Sequence, residues 1–148
     1  LKAMSRVATK GGALLIGVDL DKDPEIITRA YNDAAGVTAE FNLNMLTHLN
    51  RVYDADFDTE QFAHVAVYDG GDKRIEMRLV SMKDQVVTVA GRPIEFRKGE
   101  HILTEYSHKY TREEFAKLAK EAGFDVERVW TDAEELFSVQ FLVCTAET

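Results

Sequence analysis

Apolar and polar residues recur with different periods along this chain, and the changes of period divide it into three regions. The first begins with a short helix-like segment that breaks at Gly11-Gly12. Ala13-Leu-Leu-Ile-Gly-Val-Asp-Leu20 follows as an almost unbroken apolar run. Such a run predicts a strand buried on both faces of a parallel sheet. Helix, glycine pair and buried strand in that order predict half of a crossover unit. The second region opens at Pro24-Glu25 with a helix through Tyr31. Val37, Phe41, Met45, Leu49 and Val52 or Tyr53 then recur at helical spacing and predict an amphipathic helix over about 38–53. Asp58, with Gln61 three residues on, marks another helix start.

From Ala63 the period falls to two. Residues 65–68, the turn Asp69-Gly-Gly-Asp72 and residues 74–80 predict a hairpin. Gln85–Val89, a turn over Ala90-Gly-Arg-Pro93 and residues 94–97 predict a second hairpin, and His101–His108 a further strand. The expectation is one small antiparallel sheet with two helices. In the third region Thr111 is placed to cap a helix over 112–122, with Glu114 at the reciprocal capping-box position and Gly123 at the stop. Phe115, Leu118, Ala119 and Ala122 form its predicted buried stripe. Residues 124–130 and 137–144 read as two strands joined by the acidic loop 131–135. Helix, Ala-Gly-Phe, strand, acidic loop and apolar strand is the order that closes the sheet of many Rossmann-like methyltransferases. The predicted fold class is therefore α/β, with residues 1–20 and 108–148 as two pieces of one sheet and 21–107 as an α+β region inserted between them.

Composition narrows the function classes. At 148 residues and 45% hydrophobic, the chain can bury one ordinary core. A formal charge of −8 with scattered Lys and Arg argues against a nucleic-acid surface, which needs clustered cations to displace counterions. No basic segment precedes an apolar run as in a secretory leader, and no apolar run approaches the roughly 20 residues that span a bilayer. Cys144, the single cysteine, sits in the apolar run Phe141-Leu-Val-Cys and has no internal partner for a disulfide. A cytoplasmic protein without membrane or nucleic-acid partners is expected.

Candidate chemistry is sparse. His48, His64, His101 and His108 lack the paired spacing of zinc or iron sites, so no metal is expected. There is no Gly-x-Ser-x-Gly elbow and no Gly-x-x-x-x-Gly-Lys loop. Gly11-Gly12 precedes a strand, the reverse of the order that cradles a dinucleotide, so no nucleotide-cofactor loop is found. Asp19 ends the apolar strand, where open α/β sheets place ligands; a strand-terminating aspartate before a loop is the commoner case. Met77 alternates with Ile75 and Leu79 and reads as core filling. In the strand His101–His108, Glu105 and Ser107 share a face about 7 Å apart. They could bracket a small polar ring, or form the wet face of a half-exposed strand.

Several segments together resemble one family. They are Gly11-Gly-Ala-Leu-Leu-Ile-Gly-Val-Asp-Leu-Asp-Lys-Asp-Pro24, Ala30-Tyr-Asn-Asp-Ala-Ala-Gly-Val-Thr-Ala-Glu-Phe-Asn-Leu-Asn44, Ile75-Glu-Met77, Thr104-Glu-Tyr-Ser-His-Lys-Tyr110, and Ala122-Gly-Phe with Val129-Trp-Thr-Asp132. In order and spacing they resemble the S-adenosylmethionine-dependent L-histidine Nα-methyltransferases of ergothioneine biosynthesis. The resemblance implies three successive methyl transfers to the α-amine of L-histidine, giving hercynine. It implies that Tyr31 binds the substrate α-carboxylate, that Glu105 and Ser107 hydrogen-bond the two imidazole nitrogens, and that Met77 packs against the ring. A neutral imidazole has one N–H and one bare nitrogen, which suits one acceptor and one donor. In this family the glycine loop for S-adenosylmethionine lies in an N-terminal half. The resemblance therefore implies that the chain is the C-terminal part of a larger enzyme, the C-terminal part of a Rossmann-like methyltransferase sheet with 21–107 as an inserted α+β substrate-binding domain, with the cofactor bound mainly by the other half and no catalytic base assignable. The isolated chain is expected to be inactive and to self-associate through exposed strand edges such as the one over 13–20. Two alternatives remain: an N-methyltransferase of a tryptophan-derived amine, and a non-enzymatic acidic α/β interaction module.

Overall fold

A computed structural model describes residues 1–146. In chain order the elements are α1 (Lys2–Ala8), β1 (Ala13–Asp19), α2 (Pro24–Tyr31), α3 (Val37–Tyr53), β2 (Phe62–Asp69), β3 (Arg74–Ser81), β4 (Gln85–Val89), β5 (Arg92–Phe96), β6 (His101–His108), α4 (Arg112–Glu121), β7 (Phe124–Thr131) and β8 (Phe137–Cys144); a single 3-10 turn covers Thr59–Gln61. The chain divides into two compact units, Leu1–Lys22 with the chain from His108 on, and Asp23–Ser107. Among the described residues no helix is long and apolar enough to cross a membrane.

The first unit is a three-stranded sheet ordered β1-β8-β7, with both pairings antiparallel. Here the structure corrects the expected parallel, doubly buried strand. β1 pairs with β8 alone among the described strands, and its residues alternate: Leu14, Ile16 and Val18 turn to the core, while Leu15 is 63% exposed. An apolar run cannot by itself reveal how many faces are covered. Val18, Leu142, Cys144 and Phe124 meet Phe115, Ala119 and Ala122 of α4 in one core. The cap of α4 is as predicted: Thr111 N donates to Glu114 Oε2 at 2.8 Å and Glu114 N donates to Thr111 Oγ1 at 3.1 Å. Gly123 ends that helix at φ 85°, and a Cβ there would stand 2.7 Å from Ala146 Cβ. Leu118, expected in the buried stripe, is exposed, so the stripe is narrower than the apolar residues suggest.

The second unit holds two sheets rather than the single one expected. β2-β3-β6 form one and β4-β5 a separate hairpin. β2 and β3 pair from Phe62↔Ser81 to Asp69↔Arg74 around the predicted glycine turn. The β4-β5 turn is tighter than predicted, only Ala90-Gly91, both with positive φ (48° and 74°) as a two-residue hairpin loop requires. Pro93 thus lies within β5, paired with Thr88 of this two-stranded hairpin. α2 starts where Pro24 predicts, with Asp23 Oδ1 accepting from Glu25 N at 2.8 Å.

α3 covers the predicted span, but its buried face is rotated from the predicted one and shares only Met45 and Leu49 with it. Phe41 is 68% exposed, and Val37, Val52 and Tyr53 are also exposed. The buried positions are Asn42 and Leu46, with Leu43, Met45 and Leu49 packed alongside. Leu46, Phe57, Phe62, Leu79, Val87 and Phe96 form one core of this unit; Ile27, Ala66, Ile75 and Met77 form a second beneath α2.

Candidate functional site

Tyr31 is the last residue of α2, and two polar anchors fix that end on β2. Asn32 Nδ2 donates to Ala66 O at 3.0 Å, and Asn32 Oδ1 accepts from Ala66 N at 3.1 Å, so one amide grips one residue's main chain from both sides. His64 Nε2 lies 2.9 Å from Tyr31 O. The Tyr31 ring packs against the Ile27, Ala66, Ile75 and Met77 core, and its hydroxyl is 2.7 Å from Ser107 Oγ on β6. In a hydroxyl pair one O–H donates to the other, and the accepting group keeps its own hydrogen for a further acceptor.

Beside this pair a cleft of about 320 Å³ opens between α3 and β6, lined by Phe41, Asn42, Asn44, Met45 and His48 from the helix and by Thr104 and Glu105 from the strand. That volume sits at the small end of ligand pockets, roughly 300–1,000 Å³. The Glu105 carboxylate makes no hydrogen bond or ion pair with any described residue. Thr104 Oγ1 donates to Met77 O at 3.0 Å, which ties the cleft wall to the neighbouring strand.

The four sequence-predicted residues therefore fall into two groups. Tyr31 and Ser107 touch, and Met77 lies in the core against which Tyr31 packs, only 2% exposed. Glu105 lines the α3 cleft, whereas Ser107 is turned to Tyr31. The cleft residues Phe41, Asn42, Asn44 and His48 were not singled out as site residues from the sequence. Asn42 carried a usable signal: it stands one turn before Leu46, and a buried amide must find partners.

On the same sheet, Glu76 is held between Arg74 (2.9 Å) and Arg78 (2.5 Å). These hydrogen bonds, Arg78's first and then Arg74's, hold the Glu76 carboxyl below its usual range. Arg74 also stacks over the Tyr106 ring, 4.1 Å from its centroid.

Asp19, the other candidate, belongs to the first unit. Its Oδ2 is 2.7 Å from Lys109 Nζ, whose side chain is fully buried, and its Oδ1 is 2.5 Å from Lys22 Nζ. Lys22 Nζ also donates to Leu136 O at 2.7 Å. Burial pushes the Asp19 carboxyl up, but Lys109 and then Lys22 outweigh it and hold the group below the ordinary carboxylate value. A lysine stands on each oxygen of this carboxylate.

Comparison with known proteins places this geometry in context. Residues 1–144 match the family model described as "Histidine-specific methyltransferase, SAM-dependent". Over 145 residues the chain is 41% identical to the histidine N-alpha-methyltransferase of Mycolicibacterium smegmatis, covering 97% of this chain and 45% of that protein. The Mycobacterium tuberculosis protein of the same name is 41% identical over 134 residues, covering 89% of this chain and 42% of that protein. Ergothioneine biosynthesis protein 1 of Neurospora crassa is 33% identical over 138 residues, covering 91% of this chain and 15% of that protein. The chain thus spans a little under half the length of the bacterial relatives it matches.

Proposed function

The chain belongs to the SAM-dependent, histidine-specific methyltransferase family, and from that membership we propose that it supplies the amino-acid side of a histidine Nα-methyltransferase. A protein of the relatives' full length containing this chain would methylate the α-amine of L-histidine, up to the trimethylated betaine, as a step towards ergothioneine. The observation that carries this reading is an uncommitted carboxylate, Glu105, in a small cleft beside a hydroxyl pair, Tyr31 and Ser107.

The roles follow from donor and acceptor chemistry. Glu105 accepts from the imidazole N–H, and Ser107 donates to the other ring nitrogen, the Tyr31–Ser107 hydrogen bond opening on binding so that each hydroxyl gives its one hydrogen to the ligand. Tyr31 also binds the substrate α-carboxylate through its hydroxyl, and Met77 backs the ring from the core beneath. An indole offers an N–H but no bare nitrogen, so it leaves the Ser107 donor unmatched and fills more space. Excluding water around the amine favours the neutral nucleophile that methyl transfer needs.

S-adenosylmethionine is the methyl donor that the family description carries. This chain's own residues do not fit it: Asp19 is engaged on both oxygens, and no glycine-rich loop follows a strand. Residues 21–107 are a substrate-binding insertion within a Rossmann-like methyltransferase core. A cytoplasmic setting is part of the same reading. On its own the chain neither binds S-adenosylmethionine nor turns over, and it pairs with a second copy along β1, whose Leu15 is bare. Light scattering on a size-exclusion column tests the pairing, and a monomer would refute it. Calorimetric titration of the full-length protein with L-histidine and L-tryptophan tests the function. Tighter binding of histidine is expected, and a preference for tryptophan would transfer the assignment to indole amines.

A further inference from the structure

His64 is the one histidine of the second unit whose two ring nitrogens both meet polar partners, and backbone carbonyls fix the direction of every proton around it. Asn42 Nδ2 is 3.3 Å from Arg78 O and 3.0 Å from His64 Nδ1. A carbonyl can only accept, so the Asn42 amide must turn its NH₂ to Arg78, and its second hydrogen then points at Nδ1. Nδ1 is therefore the bare nitrogen. Nε2 carries the proton and donates to Tyr31 O at 2.9 Å, again a carbonyl. A proton on Nδ1 would face the NH₂, and turning the amide over would set its oxygen against Arg78 O.

We propose that His64 is a positioning residue that couples the two halves of the candidate site. At one end of its ring stands buried Asn42, which lines the Glu105 cleft. At the other stands the main chain of Tyr31, whose hydroxyl meets Ser107. α2 and α3 both lie against β2, and the ring spans them as a spacer that accepts on one side and donates on the other. Its role is to hold the Tyr31 hydroxyl at a set distance from the cleft wall, so that carboxylate and ring contacts are met by one ligand. This rests on the histidine-binding reading for its consequence but not for its geometry.

Two variants separate the wiring from the packing. His64→Leu keeps apolar volume and removes both hydrogen bonds; His64→Gln restores one acceptor and one donor. In the full-length protein His64→Leu is expected to weaken L-histidine binding about five- to tenfold, with S-adenosylmethionine binding unchanged and His64→Gln recovering most of the loss. Equal losses in both variants, or none in His64→Leu, would overturn the proposal. If His64→Leu fails to fold, ¹⁵N spectra of the wild-type ring decide: the Nε2–H tautomer supports the coupling, and an Nδ1–H or doubly protonated ring contradicts it. If the wild type binds no histidine, the functional reading fails alone. The Tyr31 ring resonances then still judge the coupling, which requires them to shift in His64→Leu and return towards wild type in His64→Gln.

Discussion

Asp19 and Glu105 are both strand carboxylates, yet the two units put them to opposite uses. In the first unit Asp19 is saturated by Lys109 and Lys22, and one of those lysines is fully buried. In the second unit Glu105 lines an open cleft and makes no ionic or hydrogen-bonded contact with the described residues. A carboxylate whose oxygens are already committed holds structure together. One left uncommitted beside apolar and hydroxyl groups is available to a ligand. Hydrogen bonds rather than ion pairs link the polar groups nearby: Asn42 of the cleft meets His64, and Tyr31 meets Ser107.

The largest effect is expected from breaking the committed carboxylate. Asp19→Asn leaves Lys109 buried without its anion. Losing one partner of a buried pair costs about 3–5 kcal/mol, and the 26% exposure of Asp19 places it at the low end. Urea denaturation would read this. The double variant Asp19→Asn with Lys109→Met should recover much of the loss; simple additivity would show that the pair is not coupled.

Of the same order is the face of α3. Leu46→Ala empties a closed core and should cost about 2–5 kcal/mol, whereas Phe41→Ala at the cleft mouth should stay within about 0.5 kcal/mol while weakening ligand binding. Equal destabilisation would mean that Phe41 is a core residue after all.

Acid should also test the committed carboxylate. The Asp19 value is depressed in the folded state, so its contribution is fully present above the unfolded value of about 3.9 and is lost as pH falls through the lower folded one. Stability is therefore expected to drop between about pH 5 and pH 2, and Asp19→Asn to flatten that drop. An unchanged slope in the variant would remove Asp19 from the account. A smaller effect is expected for Tyr31→Phe. It deletes one hydroxyl of the Ser107 pair, for a stability loss of about 0.5–1.5 kcal/mol on a melting curve, with a clear loss of histidine affinity.

Local chemistry was legible in the sequence wherever it acts over a few residues. Pro24 announced α2, Thr111 and Glu114 announced the capping box, Asp69-Gly-Gly-Asp72 announced the hairpin, and alternation announced β6. What depends on neighbours distant in sequence was not. Leu15 and Leu14 are equally apolar, and only which face of the sheet the helices pack on decides which one is covered. The stripe of α3 was misjudged because Phe41 looked like core and Asn42 did not, although the buried amide is satisfied by His64 and Arg78 O. Lys109 gave no signal, since its partner lies ninety residues earlier in the chain. Glu105 and Ser107 were legible as sharing a face, but the partner that turns Ser107 aside, Tyr31, became visible only in three dimensions.

The central claim is that Glu105 is held in reserve for an imidazole. It is tested most directly by titrating L-histidine into the full-length protein and its Glu105→Gln variant, with melting temperatures measured alongside. A hydrogen bond to a charged group predicts affinity lower by about tenfold or more in the variant, at an unchanged melting temperature. Equal affinity for histidine in both proteins would contradict it.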